Sequence, residues 1–327
     1  MVRQEQVFFF SEGDRIAGTL MWPDAPGTGR LPAVVQGPGW MGLRTAKLYD
    51  RYHRALTEAG YAVLAIDYRG FGDSGGERGL LVPQRQVEDL RNAVTYLQSL
   101  AEIDPERIGV FGSGGTGGGN AVMLAGVDVR VKVAVCQVGV ADGEDWLHRM
   151  RREYEWVAFK ERLAADRTQR VLTGQSALVN PREDIMIPTP ERRETSVKKD
   201  VDSKMPDLVP LACAEWILEY KPIEVVERIA PRGILFIAVE PDAVTPEDHS
   251  YRMYERARPP KKLIVQRGTT HYRAYEQYGD IVTPQIVEWF NRHLGWGPIE
   301  VREGRLTEET ILYVHPDGSV EQLQHVS

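Results

Sequence analysis

This chain has little cysteine, no long apolar run and no excess of positive charge. Two cysteines among 327 residues, Cys136 and Cys213, cannot build a disulfide framework, and their apolar surroundings suit core filling. No stretch of about 18 apolar residues occurs, which excludes a membrane-spanning helix of the usual length. Residues 1–13, MVRQEQVFFFSEG, lack the roughly 7–15-residue apolar core of a secretory leader, so a cytoplasmic location is expected. Acidic residues outnumber basic ones, 47 to 40, for a net charge of −7, which argues against a nucleic-acid partner. There are no internal repeats and no low-complexity tract. Hydrophobic content of 42% is that of an ordinary globular protein, long enough for one large core plus an insertion.

What is present is alternation. Val7–Phe10 and Ile16–Met21 read as an antiparallel pair around Glu12-Gly13-Asp14. Ala33–Val35 and Val63–Ile66 are continuous apolar runs, the mark of strands buried on both faces of a mostly parallel sheet. Leu48, Tyr52, Ala55, Leu56 and Ala59 recur between them at helical spacing, and Gln84–Ala101 is a longer amphipathic helix. This pattern predicts a doubly wound α/β sheet. From about 141 to 222 the alternation stops. Trp146, Met150, Tyr154 and Ala158 recur every four residues in a charged helix, a proline-rich polar stretch follows, and a short helix spans Ala212–Glu219. That segment reads as a helical cap inserted over the sheet's C-terminal edge. Alternation resumes with strand Ile234–Val239, helix Glu247–Ala257, strand Leu263–Val265 and helix Ile281–His293. The expected organisation is a core of 1–140 and 223–295, a cap of 141–222 and an extension of 296–327. The extension carries a hairpin, Ile311–Val314 and Val320–Leu323 around Asp317-Gly318, which either extends the sheet or pairs a homodimer.

Residues 107–121, RIGVFGSGGTGGGNA, run from an apolar strand through glycines into the helix pattern Ala121–Ala125. Gly112, Gly114 and Gly117 fit the dinucleotide fingerprint G-x-G-x-x-G, but so do Gly70, Gly72 and Gly75. That fingerprint belongs in an opening βαβ unit with an acid ending the next strand, whereas here the next strand ends at Cys136-Gln137. No cofactor and no metal are expected. The better match is the strand–turn–helix that presents a nucleophile as G-x-S-x-G, with Gly114 standing at the nucleophile position.

The chain resembles the α/β-hydrolase superfamily, nearer its dienelactone-hydrolase, acylaminoacyl-peptidase and cocaine-esterase-like branches. The residues that carry the resemblance are Asp67-Tyr68-Arg69-Gly70-Phe71-Gly72-Asp73-Ser74-Gly75-Gly76, Arg107-Ile108-Gly109 and Pro222-Ile223-Glu224. It spans roughly 5–140 and 220–295 and implies an α/β-hydrolase fold acting on a small-molecule ester, lactone, amide or related carbonyl compound. By position and chain order it implies Asp242 as the triad acid and His271 as the general base, each in a loop after a late strand. The loop Gln36-Gly37-Pro38-Gly39-Trp40-Met41-Gly42 would supply oxyanion N–H groups from Gly39 or Trp40, since Pro38 has none, joined by that of Gly115.

Two departures stand out: Gln36 replaces a usual histidine, and Gly114 the usual serine. Three explanations compete for the second. The serine was removed by substitution; Thr116 attacks from a G-x-T-x-G register two residues on; or a water, activated by His271, attacks without a covalent step. Ser113 is a weaker fourth candidate. C–C bond cleavage beside a carbonyl, and a catalytically silent ligand binder, are the alternatives to hydrolysis.

Overall fold

The computed structural model describes residues 3–24, 29–195, 199–296 and 307–324. Ten strands form one sheet: β1 (Arg3–Ser11), β2 (Asp14–Trp22), β3 (Leu31–Gly37), β4 (Ala62–Ile66), β5 (Ile103–Ser113), β6 (Val131–Gln137), β9 (Gly233–Glu240), β10 (Lys261–Arg267), β11 (Glu309–Val314) and β12 (Val320–Gln324). Their order is β1-β2-β4-β3-β5-β6-β9-β10-β11-β12. The sheet is parallel from β4 to β11 and antiparallel at both ends, where β1 and β2 on one side and β12 on the other turn back. β3 and β4 are buried along their whole length. That explains their unbroken apolar runs: helices cover both faces and leave no polar side.

α1 (Asp50–Glu58) and α11 (Gly279–Leu294) cover one face through Tyr52, Leu56, Val282, Ile286 and Phe290. α2 (Pro83–Gln98), α3 (Gly115–Val127) and α9 (Glu247–Arg256) cover the other through Val87, Leu90, Ala121, Val122 and Met253. Cys136 and Cys213 are buried, and burial pushes both thiols up to about 12, as fits core fillers rather than reactive groups.

The chain reverses its winding at β3, which lies between β4 and β5. In open α/β sheets the crevice at such a reversal, beyond the strands' carboxyl ends, is where ligands bind. The loops after β3 and β5 border it.

Between β6 and β9 the chain adds no strand to this sheet. It forms α4 (Gly143–Arg149), α5 (Glu153–Thr173), α6 (Pro190–Glu194), α7 (Lys199–Asp202) and α8 (Cys213–Leu218), with a two-residue pairing of β7 (Leu178–Val179) and β8 (Val209–Pro210). The expected four-residue stripe breaks here. Asp142 caps α4, which ends at Arg149, and α5 begins afresh at Glu153, so Trp146 is buried whereas Tyr154 is 65% exposed. The two stripe halves belong to different helices with different axes, which a fixed spacing cannot reveal.

The C-terminal hairpin extends the chain's own sheet, with β11 running parallel to β10. Residues 297–306 and 325–327 of the expected extension lie outside the described residues. Among the described residues no helix is long and apolar enough to cross a membrane.

Candidate active site

The glycine run is not a loop. α3 starts at Gly115, six residues before the helix pattern becomes visible in sequence, and Gly117, Gly118 and Gly119 form its first turns. Close approach of neighbouring chain explains them. A β-carbon on Gly117 would lie 2.8 Å from the Pro38 carbonyl oxygen, and one on Gly118 2.6 Å from the Gly139 α-carbon. One on Gly112 would run into the Gly117 carbonyl. The helix therefore sits hard against the loops after β3 and β6.

Gly114 caps this helix with φ 81° and ψ 164°. That region is open essentially to glycine alone. Its N–H donates to the Gln137 carbonyl at 3.0 Å, and the Gly115 carbonyl accepts from the Val140 N–H at 2.9 Å, so the turn is pinned to the end of β6.

Asp242 and His271 meet because their strands are neighbours. β9 and β10 pair in register, Glu240 opposite Arg267, and Asp242 and His271 lie two and four residues beyond. The His271 Nδ1 lies 2.7 Å from Asp242 Oδ2. The other oxygen, Oδ1, accepts the N–H groups of Val244 and Thr245 at 2.7 and 2.9 Å. A carboxylate held this way fixes the imidazole, with Nδ1–H bonded and Nε2 left for the pocket. His271 lines a cleft of about 20 Å³ together with Gly114, Gly115, Trp40 and Trp146.

Of the expected oxyanion donors, Gly39 is already committed, since its N–H donates to the Tyr49 hydroxyl at 3.0 Å. That leaves Trp40 and Gly115, whose N–H groups make no hydrogen bond among the described residues. The loop carrying Trp40 is rigidly tied. The Arg44 backbone N–H donates to Asp67 Oδ1 at 2.9 Å, its guanidinium pairs with Asp67, and Asp73 Oδ2 takes a further bond at 2.7 Å. The Asp67–Gly76 segment is thus a clamp on the loop after β3. Met41, next to Trp40, takes a left-handed φ of 46°, a conformation that costs a side-chain-bearing residue of order 1 kcal/mol.

The two hydroxyls near the turn are placed differently. The Ser113 hydroxyl lies 2.9 Å from the Tyr275 hydroxyl in the buried layer beneath the site, where burial raises the Tyr275 phenol well above its ordinary value. Thr116 is 1% exposed, its hydroxyl is without a partner among the described residues, and it does not line the cleft over Gly114.

Sequence reasoning missed several neighbours. Arg182, Met186, Arg192 and Tyr272 also line the cleft. Glu191 of α6 accepts the Thr270 hydroxyl at 2.5 Å and the Tyr272 N–H at 3.1 Å, so the inserted segment grips the loop that carries His271. Trp146 donates its indole N–H to the Val244 carbonyl at 2.8 Å, gripping the Asp242 loop. No spacing in the sequence connects Arg182 or Glu191 with a histidine some eighty or more positions away.

Asp145, Asp248 and His249 also lie together. Arg149 bridges the two carboxylates, Arg252 reaches Asp145 at 3.0 Å, and His249 Nδ1 accepts the Ala141 N–H. This group is an ion-pair network joining α4 to α9.

Residues 12–273 match the family model of the X-Pro dipeptidyl-peptidase (S15 family). The chain belongs to that family. The chain is 32% identical over 289 residues to an uncharacterized 31.7 kDa Escherichia coli protein from the traX-finO intergenic region, covering 87% of this chain and 97% of that one. The crystal structure of the hypothetical protein PA2218 from Pseudomonas aeruginosa superposes with a TM-score of 0.77 at 24% identity, over 89% of this chain and 94% of that one. The α/β hydrolase GrgF from Penicillium sp., also described as a polyketide transferase, gives a TM-score of 0.75 at 22% identity, over 90% of this chain and all of that one. The α/β-hydrolase fold and membership of a hydrolase family are therefore established for this chain.

Proposed function

We propose that the protein hydrolyses an ester, lactone, amide or related carbonyl compound, with water as the attacking group. The observation that carries this reading is the Asp242–His271 pair facing a cleft floored by glycine where a nucleophilic side chain would stand. His271 Nε2 takes a proton as the water oxygen bonds to the carbonyl carbon. The oxyanion that forms accepts the N–H groups of Gly115 and Trp40. His271 then returns the proton to the leaving oxygen or nitrogen as the second bond breaks. Asp242 orients the ring and stabilises its charged form.

Two observations support water over the nearby hydroxyls. Ser113 is engaged with Tyr275, and Thr116 lies outside the cleft lining. The retained acid–base pair also favours an enzyme over a silent binder. The test is turnover of a panel of activated esters and lactones by the wild type and His271→Ala, with a fluorophosphonate probe in parallel. Turnover that needs His271 without any adduct on residues 113–116 is the expected result. A stoichiometric adduct on Thr116 or Ser113 overturns the water mechanism, and absence of turnover across the panel overturns hydrolysis.

A further inference from the structure

We infer that the Thr245 hydroxyl holds the attacking water against His271. This rests on the hydrolase reading above and names a second group that handles the water. A buried hydroxyl without a hydrogen-bond partner costs stability, and a folded chain keeps one where something else pairs with it. Thr245 is 2% exposed, and its Oγ1 has no partner among the described residues. Thr116, Thr269 and Thr283 share that condition, but none of them lines the cleft over Gly114, whereas Thr245 does. Trp40 Nε1, a donor only, is also buried and unpartnered among the described residues, and Trp40 belongs to the same lining. The cleft of about 20 Å³ has room for about one water, which needs two or more polar partners.

One carboxylate ties Thr245 to the base. Asp242 Oδ1 accepts the Thr245 N–H at 2.9 Å, while Oδ2 lies 2.7 Å from His271 Nδ1. On one side of Thr245 the Val244 carbonyl is held by the Trp146 indole at 2.8 Å, and on the other Pro246 leads into α9. The backbone of Thr245 is thus fixed, and a β-branched side chain has few rotamers, so the hydroxyl is preorganised. In the reaction the water donates one hydrogen to His271 Nε2 and the other to Thr245 Oγ1. Nε2 takes the first as a proton while the water oxygen bonds to the carbonyl carbon and the carbonyl π pair moves to its oxygen. The second hydrogen stays on the new carboxylic acid, so Thr245 ends as it began.

The experiment pairs steady-state kinetics on the activated esters with crystal structures of the wild type and Thr245→Val. Valine keeps the side chain's shape and the backbone N–H to Asp242 and loses the hydroxyl. We expect kcat to fall about tenfold or more with KM changed by less than about twofold, and Thr245→Ser to recover most of the loss. The Val variant should be no less stable to urea than the wild type, because the hydroxyl it loses has no partner in the folded chain. Thr283→Val, the same change on α11 and outside the cleft lining, should leave kcat alone. The wild-type crystal should show one ordered water within about 3.2 Å of both Thr245 Oγ1 and His271 Nε2, missing from Thr245→Val. A kcat that survives Thr245→Val, or a water that bonds His271 without Thr245, overturns the inference while leaving hydrolysis standing. Absence of turnover with that water in place overturns the hydrolase reading instead, and absence of both overturns both.

Discussion

At the Asp242–His271 end of the site, both oxygens of Asp242 are engaged, by His271 and by two backbone N–H groups, and the two loops are gripped by Trp146 and by Glu191 respectively. At the elbow end, the backbone is equally well held, but neither hydroxyl of residues 113–116 lines the cleft. Gly114 has none, Ser113 turns down to Tyr275 and Thr116 is buried off the lining. On the proposed reading, one half of the constellation is complete and the other presents only glycine at the attacking position. The difference teaches that a rigid elbow serves two purposes that can be separated. It positions an oxyanion N–H at Gly115, and it can carry a nucleophile. On the proposed reading, the first is present here without the second.

The sharpest way to break this comparison is to disable the complete half. His271→Ala should lower kcat on any substrate turned over by about 10³-fold or more, because no other side chain in the cleft can accept the proton. Asp242→Asn should cost about 10²-fold or more, acting through the ring's orientation and tautomer, and should leave the protein folded by circular dichroism. If Asp242→Asn matters and His271→Ala does not, the base has been misassigned.

The vacant half is tested next by filling it. Gly114→Ser forces a side chain into a backbone region open essentially to glycine, and should destabilise by about 1–3 kcal/mol, read as a lowered urea midpoint. If the turn accommodates the hydroxyl, a fluorophosphonate adduct should appear on residue 114 that the wild type lacks.

A buried histidine then tests the elbow end by pH. His53 lies beside Gln36, at the start of the oxyanion loop, with Nε2 3.3 Å from Gln36 Oε1, and burial lowers its pKa to about 4. Its folded value is depressed below the unfolded value, so its contribution to stability is complete above about pH 6.5 and is lost as pH falls towards 4. His53→Gln should therefore flatten the acid limb of the stability profile, by about 2 kcal/mol at pH 5. Parallel wild-type and variant profiles between pH 7 and 5 would contradict this.

The smallest effects concern the two hydroxyls. Ser113→Ala breaks a buried hydrogen bond and leaves Tyr275 short of a partner, costing about 1–2 kcal/mol. Thr116→Val removes a buried hydroxyl that has no partner among the described residues, so it should be neutral or slightly stabilising and leave turnover intact. Loss of turnover in Thr116→Val would move the nucleophile to that residue and reverse the comparison.

Much of the fold was legible in the chain because its causes are local. Buried parallel strands must be apolar on both faces, so β3, β4 and β9 announce themselves as unbroken runs. Asp242 and His271 were legible for a related reason: each follows a strand, in an order characteristic of the fold, and adjacent strands bring their loops together. The start of α3 was not legible, since glycines ordinarily mark turns. Here they are required by contact with Pro38 and Gly139, residues remote in sequence. The same limit applies to the inserted segment, where one expected helix proved to be α4 and α5 with different buried sides.

By itself, then, the sequence determined the layered sheet, its order of loops and the meeting of Asp242 with His271, because periodicity and chain order are properties of neighbours along the chain. Only the tertiary structure decided which N–H groups stay open for an oxyanion, which hydroxyl points away, and that Arg182 and Arg192 share a cleft with His271. Those outcomes depend on distances between segments far apart in sequence, and packing alone sets them.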